Sequence, residues 1–137
     1  MLKYSQLTKA QKKFICNGCG GKGGIIKPPN FIFKASCNHH DFKFWKGYLL
    51  EHFKKANKDF YKWMRQDIQD IPYSTHSKLY IRYLQNLKIT GVKSYYHVWA
   101  FSYYQAVNIG GKKYFNFDVK SKTLEDLNKE MRNRDGN

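Results

Sequence analysis

A histidine and an aspartate, His40 and Asp41, stand side by side in the chain. An imidazole can act as a general base toward water, and a carboxylate is a ligand that calcium prefers. Upstream, residues 17–24 read Asn-Gly-Cys-Gly-Gly-Lys-Gly-Gly, and glycines let a backbone curl until its carbonyl oxygens converge. Asn17, the Gly18 carbonyl and Asp41 are therefore candidate calcium ligands, with His40 as the base. This combination favours calcium-assisted ester hydrolysis.

The same stretch also has the spacing of a zinc site. Cys16 and Cys19 form a Cys-x-x-Cys pair, which is a common opening of structural zinc sites. Cys37 and His40 complete a set of three cysteines and one histidine. A zinc-stabilised basic module of this kind would bind nucleic acid or a protein partner. Calcium and zinc are both open possibilities at this point.

Helices are predicted to position these residues. Residues 35–46 have the spacing of a helix that presents Cys37, His40 and Phe44 on one face. Residues 49–68 form the best amphipathic stretch of the chain, with apolar residues at every third or fourth position and lysines opposite. Because only a short turn separates the two segments, we expect them to form an antiparallel pair of core helices.

Asn57 lies on the apolar stripe of the second helix, although its side chain is polar. A buried amide needs a hydrogen-bond partner, and His40 is a polar residue on the inner face of the first helix. We therefore expect a His40–Asn57 hydrogen bond. Such a bond would fix the tautomer of the imidazole and leave its other nitrogen to take a proton from water.

The rest of the chain is also predicted to be mainly helical. Capping signals open a helix over residues 8–15 and a last helix at Thr123. Hydrophobic spacing predicts two more helices over residues 76–88 and 94–108, and residues 114–117 form a short strand or a packed loop. No linker or repeat interrupts the sequence. The whole chain is therefore predicted to be one compact all-α domain.

Composition limits the classes of partner. The 137 residues carry 25 lysines and arginines against 10 acidic residues, and the net charge of +15 favours acidic lipid surfaces or nucleic acid. The 42% of hydrophobic residues is typical of a folded domain. No apolar run approaches the roughly 20 residues of a membrane-spanning helix. The first residues lack the apolar segment of a secretory signal, so a cytoplasmic location or a non-standard route of delivery is expected.

Several segments together resemble one family. Residues 17–20 read Asn-Gly-Cys-Gly, and residues 35–44 read Ala-x-Cys-x-x-His-Asp-Phe-x-Phe. This pattern resembles the calcium loop and catalytic helix of secreted phospholipase A2, in particular its small bacterial and fungal branch. Residues 56–64 and 103–111 are similar to later helices of that branch, so the resemblance covers roughly residues 16–115.

The resemblance implies a chemistry and roles for single residues. His40 would be the general base and Asp41 the calcium carboxylate, with the two loop residues named above as further oxygen ligands. It also implies a disulfide between Cys19 and Cys37 that ties the loop to the helix. The implied reaction is hydrolysis of a lipid ester at an anionic phospholipid surface, with calcium as the cofactor.

Two positions differ from the family pattern. Asn57 stands where the family has the aspartate that orients the histidine, and Asn17 stands where it has a carboxylate. An amide can hold the ring but cannot offset the positive charge that an imidazole gains during catalysis. The preferred function is a calcium-dependent phospholipase A2-like lipid ester hydrolase. The alternatives are a catalytically weakened binding protein on the same scaffold and the zinc-stabilised basic module.

Overall fold

The computed structural model describes residues 1–20, 30–118 and 120–136. Within these residues the fold is all-α, as the sequence predicts, and they contain no strand. The helices are α1 (Lys9–Ile15), α2 (Lys34–Lys46), α3 (Leu50–Gln69), α4 (Leu79–Gly110) and α5 (Leu124–Asp135). None of these helices is long and apolar enough to cross a membrane.

Capping boxes begin the first and the last helix, as predicted. The Thr8 hydroxyl accepts the backbone N–H of Gln11, and the Gln11 side-chain oxygen accepts the N–H of Thr8 in return. Thr123 and Asp126 make the same exchange at the start of α5. The amide of Gln11 also donates to Asn128 Oδ1 at 3.0 Å, so the N-terminal and C-terminal helices contact each other.

Helices α2 and α3 lie side by side, and their bounds differ from the predicted ones by at most one residue at each end. Ser36, early in α2, donates a hydrogen bond to Asp67, late in α3. Phe44, late in α2, packs on Phe53, early in α3, with 5.5 Å between the ring centroids. These contacts hold the middle of α2 against the middle of α3, which is where His40, Asp41 and Asn57 lie.

The segment after α4 covers the turn between α2 and α3. It begins with a 3₁₀ helix (Gly111–Tyr114), and Phe115 after it is only 5% exposed. The residues after Tyr114 form a loop anchored by Phe115, so of the two predicted alternatives for residues 114–117 the loop is correct and the strand is wrong. The Asn116 carbonyl lies so close to Gly47, whose φ is +68°, that a Cβ atom at Gly47 would collide with it.

Helix α4 corrects the prediction of two separate helices. The sequence predicts helices over residues 76–88 and 94–108, whereas the structure has one continuous helix from Leu79 to Gly110. The residues in between contain no proline, and the single glycine there, Gly91, costs only about 1 kcal/mol relative to alanine inside a helix. The helical hydrogen bonds therefore continue through this segment.

The largest hydrophobic core lies between α2, α3 and the second half of α4. Its buried members are Phe33, Cys37, Phe60, Met64, Ile68, Ala100 and Tyr103. The two that come from α4 both lie in its second half. Closer to the start of α4, the Lys93 amine donates to the backbone oxygen of Gln69, the last residue of α3, at 3.3 Å. The turns of α4 before Lys93 extend past this end of α3.

Candidate active site

His40 is the buried centre of the candidate site. Helix α2 turns its side chain toward α3, where the imidazole Nε2 lies 2.8 Å from Oδ1 of Asn57. The two residues are 5% and 0% exposed, so this hydrogen bond is shielded from water. The hydrogen bond that the sequence predicts is confirmed. It exists because both residues occupy inward positions of amphipathic helices that face each other.

A third amide determines which ring nitrogen carries the proton. Asn57 donates from Nδ2 to Asn108 Oδ1 at 2.8 Å, so its Oδ1 is the atom that faces the imidazole. A carbonyl oxygen only accepts, and therefore His40 carries its proton on Nε2 and keeps Nδ1 as the basic nitrogen. Sequence reasoning did not identify Asn108. It lies one helical turn after Tyr104, which stacks on Tyr61 of α3, and this contact is visible only in the structure.

Aromatic rings enclose His40 and weaken it as a base. Its ring centroid lies 4.0 Å from that of Phe44 and 4.5 Å from that of Phe60. Burial lowers the pKa of His40 to about 4, the Asn57 hydrogen bond opposes this change, and the positive charge of Lys43 adds to it. The imidazole is therefore neutral at pH 7 and can accept a proton. Because its pKa is low, His40 is a weak general base.

The loop before α2 is tied to that helix at two points. The backbone N–H of Asn17 donates to Asp41 Oδ2 at 2.9 Å. Two residues further on, Cys19 and Cys37 are joined by the disulfide that the family resemblance implies. This part of the loop is therefore held beside the carboxylate. Residues 21–24 of the predicted glycine-rich loop lie outside the described residues.

Gly18 has a conformation and a neighbour that suit only glycine. Its φ is +82°, and a Cβ atom built on it would lie 2.5 Å from Oδ1 of Asn30. That same oxygen accepts the backbone N–H of Cys19 at 2.9 Å, so it cannot move away without breaking a hydrogen bond. Asn30 thus fixes the backbone that carries the Gly18 carbonyl. No pattern in the sequence indicates this role of Asn30.

One large cavity brings the predicted polar residues together. It has a volume of about 1060 Å³ and is lined by His40, Asp41, Asn17 and Gly18. Apolar side chains form much of the remaining wall, among them Phe44, Phe60, Trp99, Tyr103, Val107 and Phe115. Asn57 lies behind His40 and supports it from the core. A cavity of this size with a few polar groups on one wall is typical of sites for apolar small molecules.

The donor set beside His40 fits a hard cation in its chemistry. Asp41 offers a carboxylate, Asn17 a side-chain amide oxygen and Gly18 a backbone carbonyl, and calcium takes oxygen ligands of these kinds. These three groups carry a single formal negative charge. Calcium affinity increases with the number of charged ligands, so the site would bind calcium more weakly than one with two carboxylates.

The four residues of the predicted zinc set are not four free donors in this structure. Cys19 and Cys37 are bonded to each other, and Cys16 Sγ donates to the Asn38 carbonyl at 3.2 Å. Burial raises the pKa of Cys16 to about 11, which favours the thiol over the thiolate that a metal binds. Within the described ranges, no group of three or more His, Cys, Asp or Glu side chains converges as metal ligands. Zinc binding stays a prediction that requires the disulfide to be reduced.

No protein-family model, curated protein or solved structure matches the chain. Its function therefore has to be inferred from the geometry of the site and from the sequence pattern.

Proposed function

We propose that the chain is a calcium-dependent lipid ester hydrolase of the phospholipase A2-like type, in which His40 activates water and Asp41 holds calcium. The observation that carries this proposal is the 2.8 Å hydrogen bond from His40 Nε2 to Asn57, made behind a cavity that both His40 and Asp41 line. An oriented base beside a carboxylate, in a cavity with apolar walls, suits an ester that has a long acyl chain.

The proposal gives each part of the fold a role. Helices α2 and α3 would be the antiparallel core pair that carries the base and its support. The loop that the Cys19–Cys37 disulfide ties to α2 would be the metal-binding loop, with Asn17 and Gly18 as ligands beside Asp41. A calcium ion bound there would supply positive charge that stabilises the oxyanion developing on the ester carbonyl.

The chain's own groups would move the protons. Nδ1 of His40 takes a proton from water as the water oxygen bonds to the ester carbonyl carbon. The bond from that carbon to the alcohol oxygen then breaks, and the imidazolium returns the proton to the departing alkoxide. Asn57 keeps the ring oriented, and Asn108 keeps the Asn57 amide in the matching orientation. The products are a fatty acid and the remaining alcohol.

The experiment that tests this proposal measures fatty-acid release from vesicles of phosphatidylglycerol. We expect release with calcium, little release with EGTA, and at least a 100-fold loss in His40→Ala. His97→Ala is the matched control, because His97 is an exposed histidine on α4 and does not line the cavity. Release that continues in EGTA or in a folded His40→Ala variant would refute the proposal.

A second function is favoured by two observations at His40. The partner of His40 is a neutral amide, and burial lowers the pKa of His40 to about 4. Both features weaken a base, so the same cavity could bind a lipid without cleaving it. The phospholipid-binding function would give saturable lipid binding that His40→Ala leaves within about twofold, with no calcium-dependent release.

Asn57→Asp separates the two functions. A carboxylate at this position would raise the pKa of His40 and balance the charge of the imidazolium. If hydrolysis is limited by the amide, fatty-acid release should increase at least tenfold in Asn57→Asp. If the protein only binds lipid, the substitution should leave release at background. Thermal unfolding of the variant must be measured alongside, because position 57 is completely buried.

A further inference from the structure

Helix α4 presents a long apolar surface to solvent. The helix has 32 residues, which corresponds to about 48 Å. We define its outer stripe as six exposed apolar side chains along one face, spaced three or four residues apart except for an eight-residue step across Gly91: Tyr80, Leu84, Leu87, Tyr95, Val98 and Phe101. Leu87 is 59% exposed and Val98 is 67% exposed. An exposed apolar face of this length, interrupted at the turn around Gly91, is a candidate interaction surface.

A row of cations on α3 lies beside the second half of α4, where Tyr61 contacts Phe101 and Asn57 contacts Asn108. We define the basic row as Lys54, Lys58, Lys62 and Arg65, which are all exposed and recur at three- or four-residue intervals. Glu51 stands at the start of the same face. Helix α4 itself contains no acidic residue. The charge beside the second half of the outer stripe is therefore strongly positive.

Two aromatic contacts join the stripe to the row. Phe101 of the outer stripe packs edge-on against Tyr61 of α3, with 6.4 Å between the ring centroids. The Arg65 guanidinium of the basic row lies 5.9 Å from the centroid of the same Tyr61 ring. Because one tyrosine touches both, the apolar stripe and the basic row adjoin each other at Phe101 and Arg65.

The opposite border of the stripe is the wall of the candidate active site. Ser102, one turn after Val98, lines the cavity, and so do Trp99 and Ala106. A surface that covers the outer stripe would therefore lie beside the cavity on one flank and on the basic row on the other.

We propose that the outer stripe and the basic row dock the protein on an anionic lipid bilayer. Leucine, valine and aromatic side chains would enter the boundary between headgroups and acyl chains, while the lysines and Arg65 contact the phosphates. The lipid partner follows from the proposed hydrolase and rests on that function. The new element is the surface: α4 lies along the membrane and delivers lipid to the cavity from its side.

Charge favours an anionic bilayer over two other partners, a second copy of the chain and nucleic acid. A second copy would bring another chain of net charge +15 against the same face, which opposes pairing. Nucleic acid would use the basic row but would leave the apolar stripe uncovered, because phosphate binding is mainly electrostatic. A bilayer with anionic lipids is complementary to both parts of the face.

The test uses the full chain and vesicles of ether-linked phosphatidylglycerol and phosphatidylcholine, in EGTA, so that binding is measured without hydrolysis. Leu87→Asp should weaken cosedimentation with these vesicles at least tenfold. Leu124→Asp, at an exposed leucine that begins α5, introduces the same charge and should leave binding within about twofold. Equal losses in the two variants would overturn the proposal.

The basic row is tested by a triple substitution. Lys54→Gln, Lys58→Gln and Lys62→Gln together should weaken binding on the order of 100-fold, since each lysine near an anionic surface contributes about fivefold. Lys9→Gln, Lys13→Gln and Lys129→Gln remove the same charge from α1 and α5 and should cost less than fivefold. Equal losses in the two triple variants would also overturn the proposal.

Two further outcomes would overturn it. One is a dimer in solution that Leu87→Asp dissociates while vesicle binding is unchanged. The other is DNA binding at the affinity of vesicle binding, unaffected by Leu87→Asp. If the proposed hydrolase function is wrong, the result differs from both of these outcomes. Diacyl vesicles would then release no fatty acid, although ether-lipid vesicles would still bind through the stripe. Conversely, calcium-dependent cleavage of a soluble short-chain ester without vesicle binding would overturn the proposed docking surface and support the proposed hydrolase function.

Discussion

The two halves of α4 belong to one helix but lie in opposite surroundings. The second half supplies Ala100 and Tyr103 to the core, and its Asn108 holds Asn57 behind the candidate base. The first half contains three leucines and two tyrosines, yet Leu79 and Tyr80 are 71% and 73% exposed. Apolar composition alone therefore does not indicate burial. Only the half that packs on α2 and α3 should contribute strongly to folding, and the other half is available to a partner.

Two tyrosines on α4 provide the largest expected contrast. Tyr103 is 7% exposed and packs on Phe33 and Trp99, so Tyr103→Ala should lower the free energy of unfolding by about 4 kcal/mol through the cavity it leaves. Tyr80→Ala should change it by less than about 0.5 kcal/mol. Urea unfolding followed by circular dichroism measures both values. Similar losses in the two variants would mean that the first half of α4 packs against something in solution.

The buried site should make stability depend on pH. Burial lowers the pKa of His40 from 6.5 to about 4, so the unfolded chain binds more protons than the folded chain between these values. Stability is therefore complete above pH 6.5 and falls as the pH drops toward 4, by about 3 kcal/mol from this residue. Unfolding free energies at pH 7 and pH 4.5 measure the effect.

Two glutamine variants test whether His40 causes the pH dependence of stability. His40→Gln should remove most of the loss of stability between pH 7 and pH 4.5. Part of the loss should persist, because burial also lowers the pKa of His39. His97→Gln, on an exposed turn of α4, should behave as the unsubstituted protein does. An unchanged pH dependence in His40→Gln would contradict the buried position of that imidazole.

The disulfide should stabilise the region of the candidate site. The first half of α4 has no such covalent link. Cys19→Ser with Cys37→Ser should lower the free energy of unfolding by about 3 kcal/mol, because the bond restricts a loop of 18 residues in the unfolded chain. Cys16→Ser is the matched control and should cost less than about 1 kcal/mol. Urea unfolding measures both.

The cysteine variants also distinguish a disulfide-linked calcium site from a zinc site. If the chain is a zinc module, elemental analysis of protein purified under reducing conditions should find one zinc per chain, lost in Cys16→Ser. If the disulfide persists in the purified protein, thiol titration should find a single reactive cysteine after unfolding.

Much of the site could be predicted because its residues follow local rules. Cys37, His40 and Phe44 share a face at helical spacing, and Asn57 interrupts the apolar stripe of the next helix, so a contact between His40 and Asn57 follows from two patterns. The capping boxes at Thr8 and Thr123 are equally local. Such features depend on a few neighbouring residues and on the pairing of consecutive helices.

The parts that the sequence missed depend on distant contacts or on small energies. Asn108 reaches Asn57 from 51 positions away, and no spacing rule connects them. Asn30 holds Gly18 through a loop conformation that has no periodicity. The break expected in α4 was wrong because one glycine costs little in a long helix. Exposure of the first half of α4 was also missed, because hydrophobic spacing shows a face but not what covers it.

Gly91 gives the smallest effect and sharpens the contrast between the halves of α4. It lies in the exposed part of the helix, and a Cβ atom there would meet nothing within 4 Å. Gly91→Ala should therefore raise the free energy of unfolding by about 0.5–1 kcal/mol, through helix propensity and a less flexible unfolded chain. Gly111, just after α4, is the matched control, because its Cβ would lie 3.2 Å from the packed ring of Phe44. Gly111→Ala should lower stability, since that ring is buried between Phe53 and Phe115 and cannot move freely. Thermal unfolding measures both variants. If both substitutions stabilise the protein, the close packing of Gly111 against Phe44 is wrong. If both destabilise it, the first half of α4 is not the open helix that a docking surface requires.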